Sequence, residues 1–206
     1  TKRNVLKRMV NKKVFCMKVA KRYGKDYWDG NRKFGYGGYK YIEGRWVSVA
    51  RKLIKDYNLK NFSRILDIGC GKGYLLYEIK KILPGIKIVG FDVSSYAIKN
   101  SKKEIKKFLF TKDLRTKINF KKKYFDLTIS LGVFHNLELF EIEKSLKELN
   151  RDSKKSYIMV ESYRNDQELF NLQCWALTCK SFFSPAEWKY IFNKNSYKGD
   201  FEFIYF

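Results

Sequence analysis

Apolar and polar positions along this chain fall into blocks of changing period. Residues 64–69 (RILDIG), 86–91 (IKIVGF), 125–131 (FDLTISL) and 156–161 (SYIMVE) are short, rich in β-branched residues and mostly apolar. Such runs predict strands buried on both faces. Phe108–Phe110 predicts a shorter strand and the closing FEFIYF another. Helical spacing predicts helices near 73–82, from about Ser95 to Lys103, over about 138–149 and from Asp166 to Cys179. A further helix is expected from Ser184 to about Asn195, because Ser184-Pro185-Ala186-Glu187 joins an N-cap to a proline in the first turn. Pro84 and Gly85 break the chain before the second strand. Strands alternating with helices predict an α/β fold: a single domain built on a doubly wound, mostly parallel sheet of about six or seven strands with right-handed crossovers.

The first 60 residues read differently and are expected to form a basic N-terminal cap and lid, with the core over 61–206. Leu6, Met9, Val10, Val14 and Met17 lie at helical spacing among lysines over 5–22. They predict an amphipathic helix that packs this stripe on the domain, a membrane surface being the other use of such a stripe. Residues 23–46 alternate glycines and aromatics with charges, as a structured loop or lid does. A helix is expected from Trp46 to Tyr57, with Val47, Ala50, Leu53 and Ile54 on one face.

Charge adds a question. The chain has 206 residues, 44 basic and 21 acidic, for a net charge of +23. Residues 1–25 carry ten basic side chains and no acid, and residues 1–60 account for +14 of the total. Such a cap suits a nucleic-acid partner. Yet 34 of the cations are Lys and 10 are Arg, whereas base readers lean on Arg. A solvated face shaped by composition accounts for the charge equally well. No run reaches the ~18 apolar residues of a membrane span, and no signal peptide is visible. The four cysteines form no C-x-x-C pair and His135 is the only histidine, so no zinc ligand set is expected. Free thiols in a reducing cytoplasm are the simplest reading.

The candidate chemistry lies in Asp67-Ile-Gly69-Cys70-Gly71-Lys72-Gly73, between the first strand and its helix. Glycines let the backbone turn sharply and approach a ligand. The spacing is neither the G-x-G-x-x-G of dinucleotide folds nor a phosphate-binding P-loop. An acid at the strand end repels phosphate and attracts an ammonium, which favours a cofactor carrying an amino-acid moiety.

These residues resemble the first motif of the class I S-adenosylmethionine-dependent methyltransferases, a Rossmann-like family, over roughly residues 62–161. The resemblance implies that Asp67, Gly69, Cys70 and Gly71 surround the methionyl part of S-adenosylmethionine. It implies that Asp92, 23 positions after Gly69, grips the ribose hydroxyls, and that Val93 lies along the adenine. Asp113 and Leu114 match the step after the third strand, Asp113 contacting the adenine amino group, although Lys112 stands where the family has Gly. Leu131 and Gly132, in FDLTISLGVFHNLE, would line the methionyl side. The family's closing antiparallel strand has no clear counterpart.

For the reaction, His135 is the candidate base, since its ordinary pKa suits proton transfer near neutrality; a structural or adenine-side histidine is the alternative. Glu161, Tyr163 and Arg164 end the fifth strand on the same edge and are candidates to bind the acceptor. In the lid, Tyr27, Trp28, Phe34, Tyr36, Tyr39 and Tyr41 offer rings to a sulfonium or an acceptor, Tyr36 and Tyr39 foremost, and Arg45 is a candidate partner for the cofactor carboxylate. The expected activity is methyl transfer to an O or N atom of a small metabolite or a sugar-like or anionic acceptor, releasing S-adenosylhomocysteine. An RNA methyltransferase is the alternative, though no N/D-P-P-Y/F or Pro-Cys signature is present. A non-catalytic S-adenosylmethionine-binding partner protein is the third reading.

Overall fold

A computed structural model describes residues 5–37, 39–117 and 120–206. The first four residues of the expected cap and position 38 of the expected lid lie outside the described residues.

The sheet has six strands in the order β3-β2-β1-β4-β5-β6. They are β1 (Arg64–Ile68), β2 (Lys87–Asp92), β3 (Leu109–Thr111), β4 (Phe125–Leu131), β5 (Ser153–Glu161) and β6 (Asp200–Ile204). Every pairing is parallel. The chain winds outward through β1, β2 and β3, then restarts beside β1 with β4. The reversal leaves a crevice at the carboxyl ends of β1 and β4, where open α/β sheets bind ligands. The closing strand pairs with β5 in parallel, Tyr157 opposite Asp200, so the sheet contains no antiparallel strand among the described residues.

Both sheet faces are apolar, as parallel strands require. Leu66, Ile68, Phe91, Phe125, Ile158 and Val160 pack with Ile142, Leu146 and Leu149 of α7 (Leu139–Asp152) and with Trp188, Ile191 and Phe192 of α9 (Pro185–Lys194). The opposite face buries Ile65, Ile88, Leu127 and Ile129 against α4 (Val47–Asp56) and α5 (Tyr74–Ile82). The remaining helices are α1 (Val5–Val10), α2 (Lys13–Ala20), α3 (Lys25–Trp28), α6 (Ser95–Lys99) and α8 (Asp166–Trp175). Among the described residues no helix is long and apolar enough to cross a membrane.

Ser184 starts α9 as expected. Its hydroxyl accepts from the Glu187 N–H at 3.4 Å, while the Glu187 carboxylate accepts from the Ser184 N–H at 2.7 Å. Ser184→Ala should cost about 1 kcal/mol of stability in urea unfolding. A change below ~0.3 kcal/mol would show that the reciprocal cap contributes nothing.

The N-terminal helix differs from expectation in two ways. It breaks at Asn11 and Lys12, where Lys12 adopts φ 48°, giving α1 and α2. Its stripe also faces outward: Leu6, Met9, Val10 and Val14 are exposed, and only Met17 packs, against Cys16, Ala20 and Leu177. The reason lies in the cations. The Arg8 guanidinium stacks 4.3 Å over the Trp175 ring and donates to the Gly35 carbonyl, and Lys13 donates to the Cys174 carbonyl. These contacts turn the charged side of the segment toward α8.

Candidate active site

The carboxyl ends of β1, β2, β4 and β5 open into a cavity of about 660 Å³. That volume suits a small molecule, whose sites span ~300–1,000 Å³. On its floor, the loop after β1 takes positive φ at Gly69 (75°), Gly71 (55°) and Gly73 (72°). A Cβ on Gly69 would fall 2.2 Å from the Val133 side chain, so only glycine fits there.

The loop's amides are spent internally. Gly69 and Cys70 N–H groups donate to the Phe91 carbonyl at 2.8 and 3.0 Å, Gly71 donates to Asp92 at 2.9 Å, and Gly73 donates to the Cys70 carbonyl at 2.8 Å. What the loop presents instead is a pair of buried acids. Asp67 is buried, and burial together with the Asp92 charge pushes its pKa up to about 8. Asp92 accepts from the Gly71 and Ser94 N–H groups, one on each oxygen, and keeps further lone pairs. Burial raises its pKa, and those two hydrogen bonds offset part of the rise. The Cys70 thiol is pushed up by burial and by both aspartates, so it is no nucleophile.

Asp67 gives a pH prediction. Its pKa is about 8 in the folded chain and ~3.9 in an unfolded one. Between those values the folded state binds the extra proton, so this group's contribution to stability falls as pH rises. The melting temperature of the unliganded protein should therefore decline more steeply from pH ~4 to ~8 than that of Asp67→Asn. Parallel profiles would contradict the buried acid.

The N-terminal segment roofs the cavity. Trp28 lies on Gly71, and its indole N–H donates to Ser94 Oγ at 2.8 Å. Buried Lys72 reaches from the glycine loop to Asp29 at 2.6 Å, and the Tyr96 hydroxyl donates to the same carboxylate. At the other end the Tyr36 hydroxyl accepts from the Leu177 N–H at 2.7 Å. The roof is thus tied both to the glycine loop and to the segment after α8.

Of the anticipated site residues, Asp67, Gly69, Cys70, Gly71, Asp92, Val93, Asp113, Leu114, Leu131, His135, Glu161, Tyr36 and Tyr39 all line this one cavity. So do Tyr27, Trp28 and Gly132. Others are placed elsewhere. Arg45 is exposed in the turn before α4, away from the cavity lining. Arg164 is drawn out to Glu168 and over the Tyr205 ring, and Tyr163 packs on Leu172, Ala176 and Cys179. Phe34 joins the small core under α2, and Tyr41 donates to Glu78. The Asp113 carboxylate is bound by Arg115, which holds its pKa below the usual carboxylate range.

The base expected at His135 has no lone pair to offer. The Glu161 N–H donates to Nδ1 at 3.1 Å, and a main-chain donor can point only at the unprotonated nitrogen. The proton therefore sits on Nε2, 3.5 Å from Glu161 Oε2. Burial lowers the pKa of the ring, opposed in part by the Glu161 charge, so it is neutral at pH 7. The ring thus has its Nδ1 lone pair engaged by the main chain, with Nε2 facing the Glu161 carboxylate.

Sequence reading missed Tyr23, Trp175, Thr178 and Lys180, which also line the cavity. Trp175, ending an otherwise ordinary helix, was the one visible signal.

An all-parallel sheet with a carboxylate-lined crevice at its switch point defines a Rossmann-like cofactor-binding protein. A family model described as a methyltransferase domain matches residues 59–196, and the chain belongs to that family, the class I S-adenosylmethionine-dependent methyltransferases. Solved structures agree on the fold. The YcgJ protein of Bacillus subtilis is 17% identical with a TM-score of 0.56, over 72% of this chain and 67% of that one. A chain from the complex of the Haloferax volcanii Trm112 methyltransferase activator with a methyltransferase is 16% identical with a TM-score of 0.55, over 75% of this chain and 77% of that one. No curated protein sequence matches significantly.

The cavity fits the family's cofactor. With four loop amides satisfied internally and two buried carboxylates in the crevice, the site disfavours a pyrophosphate and suits an ammonium and a diol.

Proposed function

We propose that this chain transfers a methyl group from S-adenosylmethionine to an O or N atom of a small molecule held in the cavity. The observation that carries the reading is the pairing of internally satisfied loop amides with two buried acids, Asp67 and Asp92, whose oxygens keep lone pairs for a ligand. In this reading Asp92 accepts from the ribose hydroxyls, Asp67 faces the methionyl ammonium, and Gly69 to Gly71 let that part approach the backbone. Val93 and Leu114 flank the adenine, while Leu131 and Gly132 line the methionyl side. Asp113, bound to Arg115, turns only its remaining lone pairs toward the adenine amino group.

The bound sulfonium supplies a methyl group that is already activated. The protein's part is to align an acceptor lone pair with it and to keep water out. Residues up to 60 act as cap and lid: Trp28, Tyr36 and Tyr39 cover the crevice, tied down by Ser94, Lys72 and the Leu177 amide. A roofed cavity favours a compact acceptor over a polymer. Arg8 and Lys13 face inward, which removes two cations from any RNA-binding surface. The four free cysteines suit the cytoplasm.

The test is incubation with methyl-labelled S-adenosylmethionine and a fractionated metabolite extract. Label should appear in a small-molecule fraction. Label in RNA, with RNA affinity persisting at ~150 mM salt and falling steeply above it, would overturn the small-molecule reading.

A further inference from the structure

Glu161 ends β5 inside the cavity and is 9% exposed. Its Oε2 has no hydrogen-bond partner among the described residues. A buried carboxylate oxygen without a partner is costly, and such a group is normally completed by a ligand, an ion or a proton. His135 supplies no counter-charge, being neutral, and its Nε2 at 3.5 Å is beyond hydrogen-bond length.

The cavity's cations do not fill the gap. Lys72 is bound to Asp29, Arg115 to Asp113, and Lys180 to Glu138. Lys21 and Arg32 are exposed. Lys112 follows β3, four strand spacings from β5 and so roughly 19 Å away. Tyr36 and Tyr39 line the same cavity. Burial first and the Glu161 charge second raise the pKa of the Tyr36 hydroxyl. Tyr39 stands beside Tyr27 at a ring separation of 5.3 Å. A buried carboxylate oxygen without a partner, in a cavity that tyrosines also line, suits a cation.

We propose that the methyl acceptor is an amine, and that Glu161 both binds its protonated nitrogen, against Tyr36 and Tyr39, and receives its proton. The inference rests on the reading of the crevice as an S-adenosylmethionine site. Glu161 lies two strand spacings from β1, roughly 10 Å, with Leu131 and Gly132 of the β4 end between. A compact acceptor spans that distance. In the reaction the ammonium gives one proton to Glu161. The freed nitrogen lone pair then forms the N–C bond as the S–C bond breaks, and sulfur keeps that electron pair as a neutral thioether. The product is a methylated ammonium, and the proton on Glu161 leaves to solvent.

The experiment is calorimetric titration of the S-adenosylhomocysteine-loaded protein with benzylamine, benzyl alcohol and benzoate. Benzylamine should bind at least ~10-fold more tightly than the other two. Glu161→Gln should abolish that preference while leaving S-adenosylhomocysteine affinity within about threefold, a shift under ~0.7 kcal/mol. Equal or absent binding of the three probes to the wild type, a preference for benzoate, or an unchanged preference in Glu161→Gln overturns the proposal. Should the variant misfold, absence of an amine preference in the wild type still overturns the proposal. Failure of S-adenosylhomocysteine to bind the wild type would instead overturn the cofactor reading, and an amine preference that persisted in the wild type and was lost in Glu161→Gln would leave Glu161 as the amine site.

Discussion

Asp92→Ala should weaken S-adenosylhomocysteine binding by more than ~1.5 kcal/mol, at least about tenfold in affinity. Asp92 lies at the carboxyl end of β2, 8% exposed, where the strand delivers its side chain to the crevice. Two backbone N–H groups hold the carboxylate in one orientation, so its remaining lone pairs are pre-aimed. Losing it removes two charge-assisted acceptors for the ribose and frees the Gly71 amide that shapes the glycine loop. Asp92→Asn, which keeps one carbonyl acceptor, should lose less. Unchanged affinity in Asp92→Ala, measured by calorimetry, would contradict the ribose assignment.

Trp188→Ala should be the most destabilising single change considered, at about 3–5 kcal/mol. Trp188 is fully buried in α9, edge-on to Phe183 at 5.3 Å and stacked on Phe192 at 5.6 Å. Its indole N–H donates to the Glu161 carbonyl at 3.2 Å. Truncation opens a cavity and leaves that carbonyl without its partner at the end of β5. The melting temperature should fall by roughly 6–20 °C, given ~2–4 °C per kcal/mol at this chain length. Trp188→Phe keeps most of the volume and should fall between. A loss below ~1 kcal/mol for alanine would mean that α9 does not form the core under β5.

These two residues differ in how readily the sequence disclosed them. Asp92 was legible because its signal is local: a β-branched strand, an acid at its end and a glycine loop one strand earlier share a short stretch of chain. The same holds for β4, whose apolar run is buried on both faces and needs no partner to be recognised. β5 starts at Ser153, earlier than expected, because Ser-Lys-Lys-Ser has no strand signal of its own and is drawn in by pairing with β4. The crossover helix after β2 ends at Lys99, before the expected Lys103.

The acceptor half of the site was less legible because tertiary contacts assemble it. Tyr36 meets Thr178 across 142 positions of chain. His135 and Glu161 were both singled out, but their relation depends on β4 and β5 running in parallel with Leu131 opposite Met159, so that the Glu161 amide meets Nδ1. That contact engages the histidine's Nδ1 lone pair, which is why the proposed proton acceptor is the carboxylate. The N-terminal stripe shows the same limit. A 3.6-residue period reports that a helix has two faces and does not report which face docks. Here an arginine on Trp175 and a lysine on a carbonyl chose the polar one.

The most direct test of the account is a crystal structure with S-adenosylhomocysteine. The account predicts the ligand along the crevice at the ends of β1, β2 and β4, with both ribose hydroxyls within ~3 Å of the Asp92 carboxylate and the amino group toward Asp67. An empty crevice, or a ligand bound with its ribose away from Asp92, would contradict it.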